Sequence, residues 1–234
     1  MPDAAPNPEL LRSLGRLVRG LSALFWGLPT ALIVCVGTVI AGWFDSLGVF
    51  GIVPALAVTV LLCYGLQQMG HFQKQERPWR DALDRAKLLA LVNAGLAPFL
   101  HWCHKIPGQP FFLTAVALMA FSGLLFLFNL NLVLARLGAM LPDETLRQET
   151  QHFTTINRGL LIAFVVLVTA YVLLMNMPDL PERLVRGLEW VERTRFLSLL
   201  MSLVVFLLLP LSLTMALIWK TKEVILESLF APRM

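Results

Sequence analysis

The sequence predicts an all-α protein, a polytopic transmembrane helical bundle with six spans, and three observations lead to this prediction. Of the 234 residues, 57% are hydrophobic and 15% are charged, whereas a soluble domain is about 45–50% apolar and about 25% charged. The mean hydropathy is +0.73. The apolar residues are gathered into long runs with the charged residues between them. This pattern is typical of a chain whose helices are surrounded by lipid.

The runs divide the chain into three parts. Residues 1–20 are an N-terminal tail and interfacial segment, 21–219 a transmembrane helical domain, and 220–234 a C-terminal tail. The predicted spans are residues 21–43, 47–69, 84–103, 111–137, 160–177 and 196–219. Short amphipathic helices are expected at the membrane surface at residues 9–20 and 182–195, where apolar residues recur at helical spacing between charged ones.

The first two spans are predicted to form a tight hairpin. Trp26 and Trp43 lie near the ends of the first span, which is where membrane helices favour tryptophan. Only Asp45 and Ser46 separate it from the second span. Pro54 lies in the second turn of the second span, where a bend is expected. The polar interval 70–87 follows, with a turn at the membrane surface indicated by Pro78 and Trp79.

For the third segment, the sequence leaves open whether the helix crosses the membrane. The run from Leu88 to Cys103 has 16 residues, and a spanning helix needs about 20. Five spans, or a re-entrant third segment turning at Pro98, are therefore alternatives. We expect six spans because otherwise an apolar run would be left outside the membrane. One face of this segment is small or polar and should pack against protein. That face comprises Ala90, Asn93, Ala94, Ala97, His101 and His104.

The last three spans have clearer boundaries. No charge interrupts the fourth span before Arg136. A helix beginning near Asp143 is expected to run into the fifth span. Its first turn contains acidic residues, which interact favourably with the helix dipole at that end. Pro178 ends the fifth span, and Lys220 and Lys222 end the sixth.

The basic residues indicate the orientation. With the N-terminus in the cytoplasm, 14 of the 19 Lys and Arg residues are cytoplasmic for six spans and 13 for five. The C-terminus is cytoplasmic if there are six spans. The plasma membrane, here a bacterial inner membrane, is the expected location. The basic residues flank the apolar runs, so the orientation of the spans in the membrane explains them. We therefore expect no nucleic acid as a partner. The expected partners are the lipid bilayer and other membrane protein subunits, or a second copy of the chain.

Candidate site residues are few, because every Asp and Glu lies outside the apolar runs. Proton-coupled transport and intramembrane acid chemistry usually need such residues at membrane depth. No catalytic residue and no cofactor is predicted. His101 and His104 are weak metal-ligand candidates, three residues apart, and are more simply explained as histidines at the membrane surface. The polar candidates for helix packing or for lining a path are Asn93, Asn129, Asn176, Ser198 and Ser202.

These features predict a protein without its own catalytic site, acting as a subunit, scaffold or assembly partner of a larger membrane complex. Enzymatic activity is therefore not the expectation. Two alternatives remain open. One is a channel or carrier for small uncharged solutes, formed by one chain or by a homo-oligomer, which would use the polar faces of the third and fourth spans. The other is an interfacial lipid-active enzyme that would use His101, His104 or the interval 70–87.

Overall fold

A computed structural model describes residues 8–73, 75–140, 144–175 and 207–230. These residues form helices and connecting turns, with no β-strand in the ranges given. The α-helices are α1 (Pro8–Val39), α2 (Val53–Met69), α3 (Arg77–Leu96), α4 (Pro98–Lys105), α5 (Pro110–Met140), α6 (Glu144–Met175) and α7 (Leu209–Phe230). A 3₁₀ helix, Asp45–Ile52, lies between α1 and α2.

Five helical stretches in the described part of the chain are long and apolar enough to cross a membrane. They are Leu11–Val39, Asp45–Met69, Arg77–Lys105, Pro110–Met140 and Arg147–Ala170. The prediction of an all-α membrane protein is therefore confirmed at this level. The sixth predicted span, 196–219, lies partly outside the described residues, and α7 contains its second half. The predicted surface helix 182–195 lies wholly outside them.

Helix α1 is continuous, so residues 9–20 belong to the same helix as the first span rather than to a separate one. It packs along α2, and the two backbones come closest at Gly20 and Gly65. A Cβ atom built on Gly20 would lie 2.7 Å from the carbonyl oxygen of Gly65, and one on Gly65 would lie 3.0 Å from that of Gly20. Only glycine permits this approach, as at small-residue contacts in membrane proteins generally.

The connection between α1 and α2 contains a 3₁₀ helix and two glycines with positive φ angles. Gly42 and Gly48 have φ angles of +59° and +57°, which glycine adopts without the steric cost of a Cβ. Helix α2 begins at Val53, so Pro54 lies in its first turn. An N–H group at that position has no partner within the helix anyway. The predicted bend at Pro54 is therefore wrong, because this proline starts the helix.

The turn predicted at Pro78 and Trp79, within the polar interval 70–87, is replaced by a helix. Helix α3 begins at Arg77, with Pro78 in its first turn, so more than half of the interval is helical. Trp79, expected at a turn on the membrane surface, is 0% exposed. Its ring packs edge-on against that of Phe72, with 6.5 Å between the centroids. The tryptophan thus anchors the start of α3 to the segment that follows α2.

The third segment is long enough to cross because its helix starts earlier than the apolar run. Together α3 and α4 form a candidate span of 29 residues. Ala97, between them, keeps helical angles of φ −53° and ψ −39°, so the chain continues through Pro98 without the reversal of a re-entrant hairpin. As predicted, the small and polar face is turned inward, with Ala90, Asn93 and His101 buried, while Leu88 and Leu91 are exposed.

Helices α5, α6 and α7 pack against one another. The expected helix before the fifth span is confirmed, since α6 runs unbroken from Glu144 to Met175. Helix α7 continues past Lys220 and Lys222 to Phe230, so the helix extends beyond the predicted end of the span at residue 219. Helix α7 contacts α1, α5 and α6. A leucine-rich core joins these helices and includes Leu130, Leu134, Leu137, Leu161, Leu217 and Ile218.

Candidate functional site

Three helices each place one polar side chain at the same point in the interior. Asn131 comes from α5, Asn157 from α6 and Thr214 from α7, and their exposed fractions are 3%, 0% and 0%. We call these three residues the amide cluster. Asn131 is placed there because it lies on the leucine face of α5, between Leu130 and Leu134. Asn157 lies on the face of α6 that also carries Thr150 and Leu161, both buried.

The Thr214 hydroxyl is the centre of the amide cluster. Its oxygen accepts hydrogen bonds from Asn131 Nδ2 and from Asn157 Nδ2, each at 3.0 Å. A hydroxyl has one proton to donate, and the carbonyl oxygen of Pro210 is its nearest acceptor, at 2.8 Å. Asn157 Nδ2 also lies 3.2 Å from this carbonyl. The hydroxyl therefore links α5, α6 and α7 through one atom.

A second polar contact joins two of the same helices. Lys220 on α7 forms an ion pair with Glu149 on α6, and both side chains are partly exposed at 39% and 43%. Thr221, the next residue, is buried but donates only to Leu217 of its own helix, at 2.7 Å. The α6–α7 contact thus has a buried amide–hydroxyl link and a more exposed ionic one.

The asparagines selected from the sequence differ in the hydrogen bonds that they make in the structure. Asn129 donates to the carbonyl oxygen of Leu125 in its own helix, at 2.8 Å, whereas Asn131, two positions on, makes the interhelical contact. Two residues are about 200° apart on a helix, so the pair cannot share a site, as expected. Asn93 is buried, and its Oδ1 has no hydrogen-bond partner among the described residues. Asn176, Ser198 and Ser202 lie outside the described residues.

Sequence reasoning did not select Asn131, Asn157 or Thr214. A usable signal was present for Asn131, because it interrupts a run of leucines at buried helical positions. The positions of Thr150 and Asn157, seven residues apart, likewise mark one face of α6. Nothing local identifies Thr214, since membrane helices contain many threonines whose hydroxyls bond within the same helix, as Thr221 and Thr169 do here.

A second polar group lies where α4 meets the α1–α2 connection, and we call it the histidine cluster: Asp45, His101 and His104. His104 Nδ1 is 3.0 Å from the carbonyl oxygen of Val39, and His104 Nε2 is 3.0 Å from Asp45 Oδ2. Both partners are acceptors, so the imidazole donates two hydrogen bonds only when both nitrogens carry protons. In that form it ties α4 to the end of α1 and to the 3₁₀ helix.

Glycines make room for both histidines. A Cβ atom on Gly42 would lie 2.5 Å from His104 Nε2, and one on Gly51 would overlap the His101 ring. His101 is 1% exposed and is therefore buried within the protein. Its two ring nitrogens have no hydrogen-bond partner among the described residues. Within the same residues, no group of three His, Cys, Asp or Glu could hold a metal ion.

Comparisons with known proteins give no relative from which to transfer a function: no family model, curated protein or solved structure matches the chain.

Proposed function

We propose that the protein is a structural subunit of a larger membrane complex, contributing helices and a docking surface but no catalytic group. The amide cluster is the observation that carries this proposal. Its three side chains are bonded to one another and to a backbone carbonyl rather than directed at an open cavity. Polar residues used in this way stabilise helix association in lipid, so their presence needs no substrate to explain it.

The contacts of α7 favour six spans for this subunit. Helix α7 contacts α1, α5 and α6, and its buried face includes Leu217, Ile218 and Ile225. A helix packed in this way belongs to the same bundle as the five candidate spans. Six spans give both termini the same side, and the distribution of Lys and Arg favours the cytoplasmic side of a bacterial inner membrane.

The surface of α6 is the best candidate for contact with another subunit. The apolar part of α6 is only 11% buried, whereas the other four candidate spans are 28–33% buried. Its outward side chains include Val166 and Leu173, which are 62% and 64% exposed. A helix with so few neighbours among the described residues is suited to contact with a second protein.

A channel or carrier is the weaker alternative. Each of the two asparagines of α5 that could line a path already donates from Nδ2 within the protein, Asn129 to Leu125 and Asn131 to Leu127 and Thr214. Amides that are bonded in this way present fewer free groups to a solute. An interfacial enzyme would need His104 to leave its contacts with Val39 and Asp45.

Site-specific photo-cross-linking in cells tests the proposal. A photoreactive amino acid is placed at Val166 on α6 and, as a control, at Val60 on α2, which is 61% exposed. We expect the Val166 position to capture a protein of another sequence and the Val60 position to give lipid adducts. Lipid adducts alone at both positions, together with a purified monomer in mild detergent, would contradict the role as a subunit.

A further inference from the structure

The groove between the end of α2 and the first half of α3 has the chemistry of a lipid headgroup site. A surface pocket of about 310 Å³ opens there, lined by Gly70, Arg80, Leu83, Asp84 and Lys87. This volume is at the lower end of the range for pockets that bind small ligands. Two of the lining side chains are cationic and one is anionic, so the pocket has a net positive charge.

The charges in the pocket are arranged to accept an anion. Lys87 Nζ lies 3.3 Å from Asp84 Oδ1, and the two side chains are 37% and 64% exposed. Arg80 is exposed and makes no ion pair with any described residue. Asp84 therefore offsets one of the two cations, and the Arg80 guanidinium remains free. A guanidinium can bind a phosphate through two parallel hydrogen bonds.

The same face of α3 becomes apolar immediately beyond the pocket. Arg80, Asp84, Lys87 and Leu91 follow one another at intervals of four, three and four residues, which keeps them on one side of a helix. Leu91 is 67% exposed, and the neighbouring Leu88 is 63% exposed. A ligand that fits this surface has a phosphate at one end and a hydrocarbon chain at the other.

The pocket also lies at the level where both helices change from apolar to polar. Gly70 follows the last residue of α2, and a Cβ atom built on it would be 3.0 Å from Lys87 Nζ. Lys87 is the last charged residue before the apolar part of α3. The end of one apolar run thus faces the beginning of the other, which is the level of lipid headgroups in a bilayer. Basic pockets between membrane helices at this level bind anionic headgroups.

We propose that this groove is a binding site for an anionic phospholipid, with the phosphate held by Arg80 and Lys87 and an acyl chain lying along Leu88 and Leu91. The proposal is independent of the role as a subunit. Free phosphate is the weaker candidate, because it would make no use of the exposed leucines. A net-neutral headgroup such as phosphatidylcholine is disfavoured by the positive charge of the pocket.

Native mass spectrometry of the full chain in detergent tests the site. Phosphatidylglycerol and phosphatidylcholine with identical acyl chains are titrated separately, and the dissociation constant of the first bound lipid is measured. We expect Arg80→Gln and Lys87→Gln each to weaken phosphatidylglycerol binding about fivefold. Arg85→Gln is the matched control, since Arg85 is an exposed residue of the same helix that does not line the pocket.

Two further variants test the geometry without removing a cation. Asp84→Asn removes the competing carboxylate and should tighten phosphatidylglycerol binding severalfold, with Asp81→Asn as its control. Gly70→Leu fills the pocket at constant charge and should weaken binding, and it suits the backbone because Gly70 has φ −65°. Circular dichroism establishes that each variant retains its helix content.

Three results would overturn the proposal. The first is equal retention of phosphatidylglycerol and phosphatidylcholine by the native chain. The second is equal weakening by Arg80→Gln and Arg85→Gln, which would indicate a diffuse charge effect. The third is displacement of bound lipid by inorganic phosphate at concentrations equal to those of the lipid, which would make a free anion the ligand.

Discussion

Replacing Thr214 by valine tests the amide cluster with almost no change in side-chain shape. The substitution removes the hydroxyl that accepts from Asn131 and Asn157. Each amide keeps one other acceptor, Leu127 for Asn131 at 2.8 Å and Pro210 for Asn157 at 3.2 Å. The variant therefore loses two interhelical hydrogen bonds, but each amide N–H group keeps an acceptor. At about 0.6 kcal/mol for an average bond of this kind, we expect a destabilisation of about 1–2 kcal/mol.

The matched control is Thr221→Val in the same helix. Thr221 is also 0% exposed, but its hydroxyl donates only to Leu217 of α7. This variant should change stability by less than about 0.5 kcal/mol, because a threonine bonded to its own helix adds little. Thr169→Val, at an exposed position of α6 with a bond to Val165, is a second control.

Equilibrium unfolding in mixed micelles, followed by circular dichroism as the denaturing detergent is increased, gives the free energies. A double-mutant cycle of Thr214→Val with Asn157→Leu then isolates the coupling between α6 and α7. Equal losses for Thr214→Val and Thr221→Val, or a coupling energy of zero, would refute the argument that this hydroxyl links the three helices.

Further predictions concern the close contacts elsewhere in the bundle. Gly20→Ala should destabilise the α1–α2 contact by about 1–3 kcal/mol, because its Cβ would lie 2.7 Å from a backbone oxygen that cannot move alone. Gly15→Ala, whose Cβ would meet nothing within 4 Å, should instead be neutral or stabilising in the same unfolding assay. For His104→Gln and Asp45→Asn, a double-mutant cycle should give a coupling of about 0.5–1 kcal/mol, since the two side chains are 30% and 44% exposed. Additive effects of the two changes would show that the imidazole–carboxylate contact contributes nothing.

The parts of the fold that depend on local pattern could be predicted from the sequence. The inward face of the third segment follows from helical spacing alone, because Ala90, Asn93, Ala97 and His101 recur at three- to four-residue intervals. The unbroken helix from Glu144 into the fifth span is also a local property. Apolar periodicity decides both, since lipid and protein neighbours select for different side chains on opposite faces.

The helix boundaries at prolines could not be predicted in this way. Pro54 and Pro78 suit either a bend or the first turn of a helix, and the choice depends on the residues before them. At Pro54, the 3₁₀ helix Asp45–Ile52 occupies the preceding residues, and α2 starts at Val53. At Pro78, Trp79 in the first turn of α3 packs against Phe72, which precedes the helix. In both cases residues before the helix take part in fixing its start.

The hydrogen-bond partners of the polar residues are even harder to predict from the sequence than the helix boundaries. These residues also bear on function. Asn129 and Asn131 are chemically identical, yet the first bonds its own backbone and the second bonds α7. Helical spacing places Asn131 on the buried leucine face of α5, but its partner Thr214 lies 83 residues away in the sequence. Because the side-chain amides of Asn131 and Asn157 are used between helices, recognition by this protein is expected at its outer surface, at α6 and at the groove between α2 and α3. The proposed subunit role and the proposed lipid site both depend on these outward faces, and substitutions there should alter partner or lipid binding without unfolding the bundle.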